Sequence, residues 1–125
     1  DVHALTTGER KGLKTFMQVG CTSCHNGAAV GGNSYQKIGL VNEYETDDMG
    51  RFKHTSEELD KKFFKVPALR NVQETYPYFH DGSVNTLDEA IELMAYHQLD
   101  VKLDKQQVKE IRTFLGALTA ENPEF

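Results

Sequence analysis

Cys21-Thr22-Ser23-Cys24-His25 is the stretch that decides how this 125-residue chain is read. It is a C-x-x-C-H segment, the spacing at which two thiols add to the two vinyl groups of one haem while the next residue ligates the iron. Two other uses of C-x-x-C compete with haem attachment. A dithiol redox site expects a strand-helix-strand setting, whereas the flanks here read as a helix and a Gly-rich loop. A structural zinc site wants two further Cys or His ligands at short spacing, and the remaining histidines, His3, His54, His80 and His97, are scattered. No other cysteine is present, so no disulfide framework accompanies the motif. Haem c is attached outside the cytoplasm in bacteria, which makes the periplasm the expected address.

On the N-terminal side, Thr6 or Thr7 caps a helix over residues 7 to 20 that feeds the motif directly, with Leu13, Phe16 and Met17 on its apolar face. Gly12 inside that helix implies close packing against another backbone, because it otherwise weakens the helix. The partner is the last helix. Asp104 opens a variant capping box with Gln107, and Val108, Ile111, Leu115 and Leu118 follow on one stripe flanked by Phe114. The expected architecture is a crossing of these two helices at Gly12, with Phe16 near Ile111 or Leu115. A third helix starts at Thr86 with Glu89 three residues on, and places Leu87, Ala90, Ile91 and Met94 on one face. A short fourth is expected from Thr55, with Glu58 completing its cap, to about Lys62. Residues 26 to 54 read mostly as loop, in which Tyr35, Ile38, Leu40 and Val41 could lie beneath a porphyrin.

The composition agrees with one soluble domain spanning 1–125: 38% hydrophobic and 26% charged residues, with no run apolar enough to span a bilayer. A formal net charge of −5 argues against a nucleic-acid partner. Lysines gather at Lys53, Lys61, Lys62 and Lys65 and at Lys102, Lys105 and Lys109; a solvated surface is the simpler reading, steering of an acidic partner the other. The start at Asp1, with no basic segment leading into an apolar run, is expected of a cleaved mature form or an excised domain.

With His25 as one axial ligand, function turns on the other, since a Met opposite the His raises the potential and suits electron transfer. Met17 lies one turn before Cys21 and reads as core. Met49, between Asp48 and Gly50, reads as a loop residue. Met94, on a helix well downstream, is the favoured ligand, with ordinary core packing as its plainer role. His97 on the same helix is the chief rival. His80 reads as a structural hydrogen-bond partner at a turn, and His3 and His54 as exposed.

Several linked segments then resemble one family. They are Gly20-Cys21-Thr22-Ser23-Cys24-His25, Gly31-Gly32-Asn33-Ser34-Tyr35-Gln36-Lys37-Ile38-Gly39, Gly50-Arg51-Phe52-Lys53, Phe64-Lys65-Val66-Pro67-Ala68-Leu69-Arg70-Asn71-Val72 and Tyr76-Pro77-Tyr78-Phe79-His80-Asp81-Gly82-Ser83. In this order, over nearly the whole chain, they resemble the C-terminal haem domain of the bacterial dihaem cytochrome c peroxidases and their MauG-like relatives. The resemblance implies a high-potential haem with His25 and Met94 as ligands, accepting electrons from a small donor and passing them to a second haem. It implies that a backbone carbonyl near Pro67 orients the His25 imidazole and that Arg70 meets a propionate. The family also binds calcium at its domain junction, partly through carbonyls at positions matching Thr75 and Pro77. Its other ligand lies in a domain absent here, so calcium is left open. Only one C-x-x-C-H is present and Trp is absent, so the family's peroxide site is not expected in this chain.

The sequence therefore predicts an all-α, class I cytochrome c-like fold of about three to five helices around one covalent haem c. It predicts electron transfer between redox partner proteins. The alternative is a haem peroxidase, or the part of one whose peroxidatic domain lies elsewhere.

Overall fold

The computed structural model describes residues 4–119. Among them the order is α1 (Thr7–Val19), β1 (Tyr35–Lys37), α2 (Phe52–Thr55), β2 (Phe63–Lys65), α3 (Leu87–Leu99) and α4 (Lys105–Gly116), joined by long loops and single 3₁₀ turns. His3 lies outside the described residues.

The three long helices start where their capping residues dictate. Thr6 accepts from the Glu9 amide while the Glu9 carboxylate accepts from the Thr6 amide, and Asp104 and Gln107 do the same for α4. Thr86 accepts from the Glu89 amide at α3. The crossing of α1 on α4 is as expected. A Cβ on Gly12 would run into the Glu110 carbonyl and the Phe114 side chain, so only glycine lets the backbones approach this closely. Phe16, Ile91, Val108, Ile111, Phe114 and Leu115 form the main core, with Leu13, Cys21 and Leu118 packed around it. The Phe16 and Phe114 rings lie 5.2 Å apart.

Three expectations are corrected. Met17 is not core but 56% exposed, because the buried stripe of α1 runs through Gly12, Thr15 and Phe16 and turns Met17 outward. Thr15 takes the interface place instead, its hydroxyl donating to Glu110 Oε2 at 2.5 Å. The helix expected from Thr55 to Lys62 does not form. Ser56 adopts a left-handed conformation, φ 58°, that ends α2, and the Thr55 hydroxyl accepts from the Glu57 amide and donates to Asp60 Oδ2. A single 3₁₀ turn, Glu58–Asp60, is all that follows. The fold is also not strictly all-α, since β1 and β2 pair antiparallel with Gln36 opposite Phe64. At three residues each, these strands are too short for alternation to show in the sequence.

Candidate functional site

The end of α1 and the start of the C-x-x-C-H segment share one residue. Gly20 caps α1 with φ 110°, returning its amide to the Phe16 carbonyl, and the 3₁₀ turn Cys21–Ser23 begins at once. The Cys24 and His25 amides both donate to the Cys21 carbonyl, at 3.3 and 3.0 Å. Both cysteines are unpaired and half-buried, with Cys21 packed on the main core. Burial pushes the Cys21 thiol up to about 11 and raises Cys24 as well. Reactive dithiol sites have the opposite character, an acidified thiol in an electropositive setting.

Opposite this turn, loop 26–34 is laid along residues 66–69. The Gly32 amide donates to the Val66 carbonyl at 2.8 Å and the Leu69 amide to the Val30 carbonyl at 3.2 Å. Gly31, φ 136°, permits this, because a side chain there would collide with the Pro67 carbonyl. The result brings the Val30 and Pro67 carbonyls to the His25 imidazole. Burial, the larger influence, lowers the imidazole pKa, and the two carbonyls act against it. Neither makes a hydrogen bond of ordinary geometry, so His25 Nδ1 is buried without a partner.

These residues fit a covalently attached haem. Two unpaired thiols stand at the required spacing, followed by an imidazole with the Val30 and Pro67 carbonyls beside it and a buried Nδ1 that still lacks a partner. An iron-ligating His is ordinarily oriented through that second nitrogen. Arg70 is exposed on the loop after Pro67.

The competing sixth ligands fall in different places. Met94 is half-buried on α3. Met49 is half-buried in the loop before Gly50, where its carbonyl accepts from the Lys62 amide. His80 stacks on Phe64 with ring centres 4.1 Å apart and lies 3.2 Å from the Thr46 hydroxyl, the structural turn role expected of it. His54 is exposed. His97 Nδ1 lies 2.9 Å from the Asn42 carbonyl, and its ring meets the edges of Tyr44 and Tyr96. Asn42, Tyr44 and Gln98 around α3 had no signal in the sequence, since their bonds join residues far apart in the chain, by more than fifty positions for Asn42 and Gln98.

Thr75 and Pro77 are exposed on the loop that precedes α3. Among the described residues no three His, Cys, Asp or Glu side chains come together as a metal site. None of the described helices is long and apolar enough to cross a membrane. Lys53, Lys61 and Lys62 are engaged with Asp48, Glu58 and Glu43.

A helical domain that presents C-x-x-C-H at the end of its first helix, with a packed imidazole, defines a c-type cytochrome-like class. Comparison with known proteins places it further. Cytochrome c551 peroxidase of Nitrosomonas europaea is 47% identical over 127 residues, covering all of this chain and 38% of that protein. Cytochrome c peroxidase Ccp of Escherichia coli is 42% identical over 94% of this chain and 26% of its own length. The methylamine utilization protein MauG of Methylorubrum extorquens is 24% identical over 97% of this chain and 37% of its own. Among solved structures, a MauG-like protein associated with microbial copper homeostasis superposes with a TM-score of 0.76 at 27% identity, over 94% of this chain and 48% of that one. No protein-family model matches the chain. The chain belongs with the bacterial cytochrome c peroxidases and MauG, consistent with their C-terminal haem domain. It spans between 26% and 38% of the length of these curated relatives.

Proposed function

We propose that this chain is a periplasmic electron-transfer domain with one haem c, held through Cys21 and Cys24 and ligated by His25 and Met94. The observation that carries the reading is the joint placement of the Cys21–His25 turn and Met94 on packed elements. His25 stands on a turn fastened to the core, and Met94 on a three-turn helix whose Ala90, Ile91 and Ala95 are buried. Of its methionine rivals, Met17 is turned outward and Met49 sits in a loop. Haem c supplies a one-electron carrier whose potential is raised by a thioether ligand.

The chain's own residues do the rest. The Val30 and Pro67 carbonyls lie beside the imidazole and would orient it once haem is bound, by accepting from Nδ1, which has no partner otherwise. Loop 26–34 and residues 66–69 cover that side of the site and keep water from it. Arg70 offers a guanidinium to a propionate, the role its family position implies. Electrons come from a small donor protein and leave to an acceptor.

Spectra of the oxidised and reduced protein test the ligand pair. A weak band toward the red in the ferric state reports an iron–thioether bond. It should be present in the wild type and lost in Met94→Ala. Persistence of the band in Met94→Ala, with low-spin character lost instead in His97→Ala, would overturn the assignment.

A second reading, a working part of a peroxidase, is favoured by the relatives' names and greater length. Peroxide turnover with a reduced donor, compared with free haem, separates the two: this chain should stay near the free-haem background. Calcium at the Thr75 and Pro77 carbonyls belongs to that second reading.

A further inference from the structure

Loop 37–44 and the last turn of α3 are fastened by hydrogen bonds from both backbone and side chains. A helix leaves its last carbonyls without intrahelical partners, and the final turn is where helices open first. Here the loop supplies the missing donors. The Val41 and Asn42 amides donate to the His97 carbonyl at 3.0 and 3.1 Å, and Asn42 Nδ2 donates to the Tyr96 carbonyl at 2.7 Å. The same Nδ2 reaches Asp100 Oδ1 at 2.8 Å, at the left-handed residue, φ 53°, that caps α3. Gln98 works in the other direction. Its Oε1 accepts from the Gly39 amide at 2.6 Å and the Leu40 amide at 3.3 Å, and its Nε2 donates to the Lys37 carbonyl at 2.9 Å.

The loop is itself anchored at its far end. Tyr44 is buried, its hydroxyl donates to Asp81 Oδ2 at 2.7 Å and lies 3.1 Å from the Ser83 hydroxyl, and its ring packs on His97. Its carbonyl accepts from Lys62 Nζ at 3.3 Å. Gly39, φ 73°, closes the turn so tightly that a Cβ would strike the Tyr44 amide.

Residues three and four positions apart on a helix share a face, so the neighbours of Met94 on that face are His97 and Gln98. The loop holds both of those side chains. A thioether is a flexible, weak ligand whose occupancy depends on the rigidity of what carries it. We propose that Asn42 and Gln98 are positioning residues for the sixth ligand: by fastening loop 37–44 to the end of α3 they hold Met94 in place and set how readily another ligand displaces it. The inference rests on the His25 and Met94 reading above.

The test uses the ferric haem-loaded protein, with imidazole as the displacing ligand and the red band as the readout of Met94. Asn42→Ala and Gln98→Ala should each bind imidazole roughly tenfold more tightly than the wild type, the scale expected when two or three hydrogen bonds holding the closed state are lost. Each should also weaken the red band. Gln98→Glu keeps the acceptor for the Gly39 and Leu40 amides and should recover most of the wild-type behaviour. Should Asn42→Ala fail to load haem, the Gln98 pair carries the test. Thr15→Val, in the α1 and α4 crossing, lowers thermal stability away from the bracket and should leave imidazole affinity unchanged. Wild-type imidazole affinity and band in both alanine variants, with the band abolished by Met94→Ala, would sink the bracket and spare the ligand pair. An equal rise in affinity in Thr15→Val would also sink it, by making general loosening the cause. A band indifferent to Met94→Ala overturns the ligand pair itself and takes the bracket with it.

Discussion

Two contacts organise this molecule, and they are built from different chemistry. Where α1 crosses α4, apolar side chains interlock: Phe16 meets Ile111, Phe114 and Leu115, and Gly12 admits the facing backbone. Where loop 37–44 meets the end of α3, amides, carbonyls and two polar side chains do the joining, and Leu40 and Val41 are left more than half exposed. Burial of apolar surface is large and indifferent to direction, whereas a hydrogen bond adds little net stability but demands a geometry. The crossing should therefore decide whether the chain folds, and the bracket how firmly one short stretch of helix is held once it has.

The sharpest way to break that contrast is at Ile111, which is 1% exposed and central to the crossing. Ile111→Ala should cost about 3 to 4 kcal/mol, transfer and cavity terms together. The measurement is the urea midpoint of the haem-loaded protein. The bracket variants Asn42→Ala and Gln98→Ala should each lower the stability read from that midpoint by about 1 kcal/mol. If either bracket variant proved as costly as Ile111→Ala, the division of labour between the two contacts would be wrong.

Gly12→Ala is the next test, and its sign is informative. On an exposed helix surface the change would stabilise by up to about 1 kcal/mol through helix propensity. In the crossing the new methyl meets a backbone carbonyl rather than a yielding side chain. The two helices must then separate, and the expected outcome is a net loss of about 1 to 3 kcal/mol. A Gly12→Ala protein as stable as the wild type would show that the crossing relaxes freely and that its glycine is incidental.

The difference between the two contacts also explains what the sequence made legible. Helix α4 announces itself twice, through Asp104 and Gln107 at its start and through the stripe of Val108, Ile111 and Leu115, and both signals are local. Gly12 inside an amphipathic helix pointed to a close crossing for the same reason. Cys21, Cys24 and His25 were legible because the chemistry they serve fixes their spacing. Met17 misled because residues 16 and 17 are one step apart, and a stripe defined by three positions does not say on which side it ends. Thr55 misled because a hydroxyl three residues before a Glu serves a turn as readily as a helix. The bracket was invisible: Asn42 reaches Tyr96 and Gln98 reaches Gly39 across more than fifty residues, and neither residue type in a loop or on a helix carries a pattern. The strands β1 and β2 escaped for want of length.

The crossing also holds a largely covered carboxylate, and it gives the smallest effect but the most specific one. Glu110 is largely covered, its side chain 12% exposed, and it accepts from the Thr15 hydroxyl at 2.5 Å, from Gln106 at 3.2 Å and from Lys11 at 3.5 Å. The Thr15 bond above all, then Gln106 and Lys11, hold its carboxyl below the usual Glu range, with partial burial opposing them. A carboxylate whose pKa is lowered by folding stabilises the native state above its unfolded pKa, and that contribution fades as pH falls through the folded value. Glu110→Gln should thus be less stable than the wild type at neutral pH, and the gap should close on acidification below the ordinary carboxylate range. Paired thermal unfolding of the two haem-loaded proteins from pH 7 downward measures it. A gap constant across that range would mean that the Glu110 side chain acts through shape and neutral hydrogen bonding alone, leaving the crossing free of any charge-dependent part.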